Sequence, residues 1–312
     1  MVSGVSIPHR RDISSMSMNA RSLTSCSLRK RSLCCPDSCS DMVDFRYRRP
    51  DARLAPFVKM YFWGWDADPP PTQRTIPNGE MGVCFYRHGT VIYDGVGEIR
   101  SCIAGQDIKY QDIISQGAIE IVGAHFTTIG AHLFFNMPLN IFFRHSTRLE
   151  DIDDEGFARL EEEVMLAPNH RVCWDIFDTF FLERLSRSND DALNLRRLQR
   201  ALAYGHGDPT RTNVADAASE ACLSTRHFNR LFSQMIGLPP KEFLRLLRFH
   251  NALRNLKNQH FNTQHSLTEI ACDSGYYDLS HMSSEFREIS GLSPKELLSA
   301  SENDNDPVGW RM

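Results

Sequence analysis

The stretch Ala218-Ser-Glu-Ala-Cys222-Leu-Ser-Thr-Arg-His-Phe228-Asn-Arg-Leu-Phe232, followed by Gly237-Leu-Pro-Pro240, decides how the chain is read, because it returns. The second copy runs Ala271-Cys-Asp-Ser-Gly275, then Met282-Ser-Ser-Glu-Phe286, then Gly291-Leu-Ser-Pro294. A shift of 54 carries Phe228 onto Met282, Phe232 onto Phe286, Gly237 onto Gly291 and Pro240 onto Pro294. Ala218 and Ala271 are 53 apart, so the turn of the second copy has one extra residue. One supersecondary unit is used twice.

In the first copy, Phe228, Leu231, Phe232 and Met235 fall at helical spacing and give an apolar stripe. Ser224 is the expected N-cap. Arg226, Asn229, Arg230 and Ser233 form a second face with two guanidiniums, one amide and no acid. Such groups match base edges in the major groove, Arg to guanine and Asn to adenine. A short segment from about Val214 to Ala221, capped by Asn213 or Thr212, precedes it. A short helix, a tight turn and a second helix make a helix-turn-helix.

The second copy starts on the capping box Ser266-Leu-Thr-Glu269 and turns at Gly275. Its next helix is expected to bury Met282, Phe286 and Ile289 and to present Ser280, Ser283, Ser284 and Arg287. Between the copies, Phe243, Leu246, Leu247, His250, Leu253 and Leu256 form one stripe, with Arg245, Arg248, Arg254 and Lys257 off it. Lys241 to Lys257 therefore reads as one linking helix. A rigid link matters because two recognition helices reach successive grooves only about 34 Å apart. The competing reading is two helical hairpins packed as an ordinary bundle. The paired repeat, the shared Gly-x-x-Pro endings and the acid-free face argue against it.

These residues resemble the AraC/XylS-type bacterial transcription regulators, whose C-terminal domain joins two helix-turn-helix units by a long helix. The resemblance rests on Ser224 to Phe232, Gly237 to Pro240, Ile270-Ala271, Gly275-Tyr276 and Phe286 to Pro294, about 85 residues in all. It implies that Thr225, Arg226, His227, Asn229 and Arg230 meet the first groove. It likewise implies that Ser280, His281, Ser283, Ser284 and Arg287 meet the second. Cys222 departs from the family's turn Gly; a left-handed turn there would cost on the order of 1 kcal/mol. Ser284 departs from the usual Arg, which points to a weaker second unit.

Composition sets bounds. At 312 residues two domains are expected, and a 41% hydrophobic content is enough for real cores. The net charge is −4. From Asp191 to Ala300 there are 13 Lys and Arg against 11 Asp and Glu, a weak electrostatic footprint for a DNA binder. Binding must then rest on local arginines and on homodimerisation. No apolar run of membrane-spanning length occurs, so no membrane partner is expected. Nine cysteines without C-x-x-C spacing point to free thiols.

Residues 1–41 are rich in Ser and Arg and poor in acid, with Cys26, Cys34, Cys35 and Cys39 in no zinc-like spacing. The composition reads as a disordered extension before a start at Met42; a transit peptide is the other reading. Residues 42–147 read as mostly β. Met81–Tyr86, Thr90–Tyr93, Ile99–Ile103 and Ile119–Phe126 are short runs separated by Gly or polar turns. Ile76-Pro-Asn-Gly79, Val122-Gly-Ala-His-Phe126, Gly130-Ala131 and Met137-Pro138 loosely resemble the N-terminal domain of some of these regulators. That likeness implies a cupin-like barrel that binds a small effector and dimerises. Residues 148–204 read as helical, with an acidic face at Glu150 to Glu163 and aromatics Trp174, Phe177, Phe180 and Phe181 that form a dimer face or pack on the barrel. Tyr204 to Pro209 reads as a flexible linker.

The expectation is an α+β protein: a disordered 1–41, a β-barrel sensor or dimerisation domain at 42–204, a double helix-turn-helix domain at 205–300 and an acidic tail at 301–312. It is a cytoplasmic, sequence-specific DNA-binding regulator, not an enzyme. Its partners are double-stranded DNA, a small-molecule effector and, for an activator, RNA polymerase. No cofactor and no metal is expected. One alternative is a metal-cupin enzyme fused to a DNA-binding domain, with His88, His125, His132 and His145 as ligand candidates. The other is an interaction module that no longer binds DNA.

Overall fold

A computed structural model describes residues 43–93, 96–144, 146–188, 192–260 and 266–302. The expected extension at 1–41 with its four cysteines, the start at Met42, His145 and the tail beyond Glu302 lie outside those residues. Within the described residues, no helix is long and apolar enough to cross a membrane. The five described cysteines, Cys84, Cys102, Cys173, Cys222 and Cys272, are free.

The N-terminal half is one antiparallel sheet. Its strands are β1 (Asp44–Arg48), β2 (Val58–Asp66), β3 (Thr72–Thr75), β4 (Gly82–Tyr93), β5 (Gly97–Ile99), β6 (Ser101–Ala104), β7 (Gln111–Phe126) and β8 (Thr147–Arg148). The pairing path runs β1-β2-β7-β4-β6-β8, with β3 on β7 and β5 on β4, and it stays open between β1 and β8.

The sequence suggests two runs either side of Arg87-His-Gly89; the structure carries β4 straight through them. The register against β7 slips on both sides of His88, and Gly89 takes φ 80°. A Cβ on Gly89 would lie 2.2 Å from the Ala118 carbonyl oxygen, so this bulge accepts only Gly. What looks locally like a turn is a bulge inside a twelve-residue strand.

Helices α1 (Glu155–Leu166) and α2 (His170–Arg187) follow. The α1 start falls later than the acidic run suggests, because Asp154 caps it by accepting from the Gly156 and Phe157 amides. On α2, Phe177 and Phe181 are fully buried, with ring centroids 5.4 Å from Tyr61 and 5.3 Å from Phe126 respectively. The aromatic stripe is thus spent on the sheet and is not a free dimer face. Tyr61 donates its hydroxyl to Asp178 of α2 at 2.8 Å, and Arg48 pairs with Asp175 and Asp178.

The helical half comprises α3 (Ala192–Gly207), α4 (Val214–Glu220), α5 (Thr225–Ile236), α6 (Pro240–His260), α7 (Leu267–Asp273), α8 (Leu279–Ser290) and α9 (Pro294–Glu302). The linker expected from Tyr204 shrinks, since α3 continues to Gly207. Leu198, Ala201 and Leu202 of α3 join Phe228, Phe232, Phe249, Met282 and Phe286 in one core. Ser301 and Glu302, expected in the tail, extend α9.

Candidate nucleic-acid interface

The first unit is α4, a turn and α5. Asn213 caps α4 and accepts from the Asp216 amide; Ser224 caps α5 and accepts from the His227 amide. Cys222 sits in the turn at φ 54°, the left-handed region that the sequence reading anticipated. Phe228, Leu231, Phe232, Met235 and Ile236 are buried, which fixes the opposite face outward. Thr225, Arg226 and Arg230 are exposed; His227 and Asn229 are half-buried. Asn229 differs from the simplest expectation. Its side-chain amide donates one N–H to the Thr225 carbonyl at 2.7 Å, which leaves its second N–H and its carbonyl oxygen for a base in this rotamer.

The second unit is α7, a turn and α8. Ser266 and Glu269 form both arms of the capping box, and Gly275 turns the chain at φ 81°. The extra residue lies in this turn, which spans 274–278 against 221–224 in the first unit. Asp278 caps α8 by accepting from the His281 amide at 2.7 Å. Ser280, His281, Ser284 and Arg287 are exposed and Ser283 is half-buried. Both recognition helices end on a left-handed glycine, Gly237 at φ 100° and Gly291 at φ 77°. Pro240 and Pro294 then open the helices that follow, where a missing N–H costs nothing.

The linking helix α6 has 21 residues, so at 1.5 Å per residue it reaches roughly 30 Å. It is longer than the sequence suggests and does more than space the units. Arg245, read from the sequence only as lying off the apolar stripe, donates to buried Glu285 at 3.0 Å and reaches Glu288 at 2.5 Å. Tyr276 donates its hydroxyl to the other Glu285 oxygen at 2.9 Å, and burial pushes that phenol's pKa up. The group ties α8 to α6.

The sheet grips the far ends of both recognition helices. Gln106 donates its side-chain amide to the Ile236 carbonyl of α5 at 2.6 Å. Arg74 donates to the Ser290 carbonyl of α8 at 3.4 Å, and the Tyr110 amide donates to the Ile289 carbonyl at 2.7 Å. Ile236 and Ser290 are equivalent under the 54-residue shift. Each is a helix-end carbonyl without an intrahelical partner, and each is satisfied from the sheet. His250 of α6 also donates Nε2–H to the Pro77 carbonyl at 2.7 Å.

The remaining histidines do not assemble. His125 lies on β7 with its ring 4.9 Å from Phe62, His88 faces Trp65 at 5.5 Å, and His132 sits in a 3-10 turn. Among the described residues, no three His, Cys, Asp or Glu side chains gather as a metal site. The sheet does hold a cavity of about 540 Å³. Thr75 to Gly79, Gly105, Asp107 and His250 line it, so its wall includes the loops that grip the helices.

Comparison with known proteins agrees with this layout. Residues 217–300 match a family described as a helix-turn-helix domain, and residues 46–148 match a domain of unknown function (DUF6597). The invasion protein InvF of Salmonella typhi is 30% identical over 154 residues, covering 46% of this chain and 69% of that protein. The HTH-type transcriptional activator RhaS of Salmonella arizonae is 35% identical over 82 residues, 26% of this chain and 27% of that one. Among solved structures, ToxT from Vibrio cholerae aligns with 83% of this chain and 97% of its own at 13% identity, TM-score 0.38. With its repeated unit, its linking helix, the helix-turn-helix family match and the likeness to InvF, the chain belongs to the AraC-type transcriptional regulators, with a helix-turn-helix DNA-binding domain at its C-terminal end.

Proposed function

We propose that this regulator reads one major groove with α5 and grips the next with α8. Thr225, Arg226, His227, Asn229 and Arg230 face the first groove; Ser280, His281, Ser283, Ser284 and Arg287 face the second. The observation that carries the reading is the α5 face: Arg226 and Arg230 are exposed, one turn apart, on a helix without an acidic residue. Residues 42–204 act as the sensor and 205–300 as the DNA-binding domain; α3, at the boundary, packs Leu198 and Leu202 into the core of the second. A small-molecule effector in the sheet cavity biases the DNA-bound state by binding it better than the free one. The protein works in the cytoplasm, as a homodimer on paired sites, and an activating target brings contact with RNA polymerase. No catalytic step enters this reading.

The test is selection of random duplexes by the purified chain at fixed ionic strength, beside an Arg226→Ala/Arg230→Ala variant. A discrete motif, lost in the variant, is the expected result. Two boxes about one helical turn apart mean that both units read bases; one box means that α8 holds phosphate. Enrichment of the same motif by wild type and variant overturns the assignment of α5.

A further inference from the structure

We infer that the sheet cavity takes an amphipathic organic cation, an amine or quaternary ammonium on an apolar body, seated with its charge at Asp107. The inference rests on the effector reading above and gives that effector a chemical class.

The cavity's size suits a drug-sized molecule. Its walls include Phe62, Cys84, Val91, Ile113 and Ile119, which favour an apolar body. Phe45, Tyr47 and Trp65 add aromatic faces, which attract a cation through the ring quadrupole.

The charges along the wall are mostly negative. Asp66, Asp68, Glu80 and Asp107 line it, and Lys109 is the one Lys or Arg among the described lining residues. Glu80 is answered from outside by Lys59 at 2.8 Å. Lys109 lies 3.9 Å from Glu288 of α8 and is largely exposed, so its charge is shared with that helix. The two imidazoles add nothing positive near neutral pH. Burial, helped by the Lys59 ammonium, pushes His125 down to about 4, and burial lowers His250 as well. An anionic ligand would enter a site with little to neutralise it.

Asp66, Asp68 and Asp107 have no ion pair among the described residues, and Asp107 is the one in the loop that grips both recognition helices. It receives one hydrogen bond, from Gln111 Nε2 at 3.3 Å, and has no ion pair among the described residues. Burial pushes its carboxyl up to about 6. An enclosed carboxylate without a cation weakens the fold, and a ligand cation would supply what is missing.

The position of Asp107 gives the ligand a route to DNA. Gln106, its neighbour, holds the end of α5, and Tyr110, three residues on, holds the end of α8. A ligand that shifts this loop bears on the last turns of both recognition helices.

The test titrates the full chain with two matched series, one on a phenylbutyl tail and one on an octyl tail. Each series has an ammonium, an alcohol and a carboxylate, and binding is read by calorimetry. The ammonium members should bind on the order of 30-fold more tightly than their carboxylates, and Asp107→Asn should erase that preference. Ser115→Trp, which fills the cavity from β7, should block every member. A carboxylate that binds as tightly as its ammonium, an unchanged ammonium affinity in Asp107→Asn, or no ammonium binding at all overturns the cationic class. If binding persists through Ser115→Trp, the ligand sits elsewhere and the cavity reading itself falls. If the ammonium preference is absent while Ser115→Trp still blocks a carboxylate or alcohol, that reading stands and only the class is wrong.

Discussion

On α5, Arg226 and Arg230 stand exposed; on α8, the 54-residue shift puts Ser280 and Ser284 in their places. Asn229 becomes Ser283 and Ser233 becomes Arg287, so the one guanidinium of α8 sits a turn further from its start. The two helices share length, caps and buried stripe, yet carry different chemistry outward. Their inner sides differ as well: Glu285 of α8 is clamped by Arg245 and Tyr276, and α5 has no such clamp among the described residues. The unit with fewer outward guanidiniums carries the extra clamp. Repetition therefore keeps the scaffold, while the outward face of the two helices differs.

The largest effect expected is on that clamp. Glu285→Ala takes one of three carboxylates from Arg245, which keeps Glu288 and Glu242, and leaves the buried Tyr276 hydroxyl without its acceptor; it should destabilise the fold by about 2–3 kcal/mol, read by chemical denaturation. If the loss is below about 1 kcal/mol, the clamp does not distinguish the units. Next comes the loop that grips both helices. Asp107 titrates near 6 when folded and near 3.8 when unfolded, so its ionised form penalises the fold above about pH 6, and the penalty fades as pH falls towards 4. Asp107→Asn should then stabilise by about 2 kcal/mol at pH 7.5 and by nothing near pH 4. An equal effect at both pH values would mean that charge is not the cause.

The DNA face follows. Arg230→Ala should cost about 1–3 kcal/mol of specific binding, whereas Ser284→Ala should cost under 0.5 kcal/mol, both read by fluorescence anisotropy. Equal losses would erase the asymmetry. Ser284→Arg should raise affinity by up to about tenfold and steepen the salt dependence by roughly one phosphate contact. Smallest is the turn. Cys222→Gly relieves a left-handed Cys and should add at most about 1 kcal/mol, a shift of roughly 2–4 °C in Tm; the second turn, already at Gly275, has no such gain to make.

Much of this was legible because it is local. Ser266 and Glu269 are three residues apart, Ser224 caps the helix it starts, and the Gly-x-x-Pro endings set a left-handed stop and a fresh start within four residues. The aromatic stripe of α2 was visible, but whether it faced a partner or the sheet was not, since either burial satisfies the same periodicity. Spacing puts Asn229 on the outer face of α5, where it is half-buried, yet the turn of its amide back to Thr225 is a rotamer choice that spacing does not encode. Gly89 looked like a turn because only the approach of the Ala118 carbonyl shows that it is a bulge.

By itself, the sequence determined the repeated unit, its caps and turns, the buried stripe of each helix and the uneven charge of the two outer faces. Each of these depends on residues within a few turns of one another, where backbone geometry fixes who is neighbour to whom. Only the tertiary structure decided that Arg245 meets Glu285, 40 residues on, and that Gln106 and Arg74 satisfy equivalent carbonyls 130 and 216 residues away. The cavity on which Asp107 borders belongs to the same class. Contacts across such separations arise when whole elements bury their apolar faces together, and single residues leave no periodic trace of them in the chain.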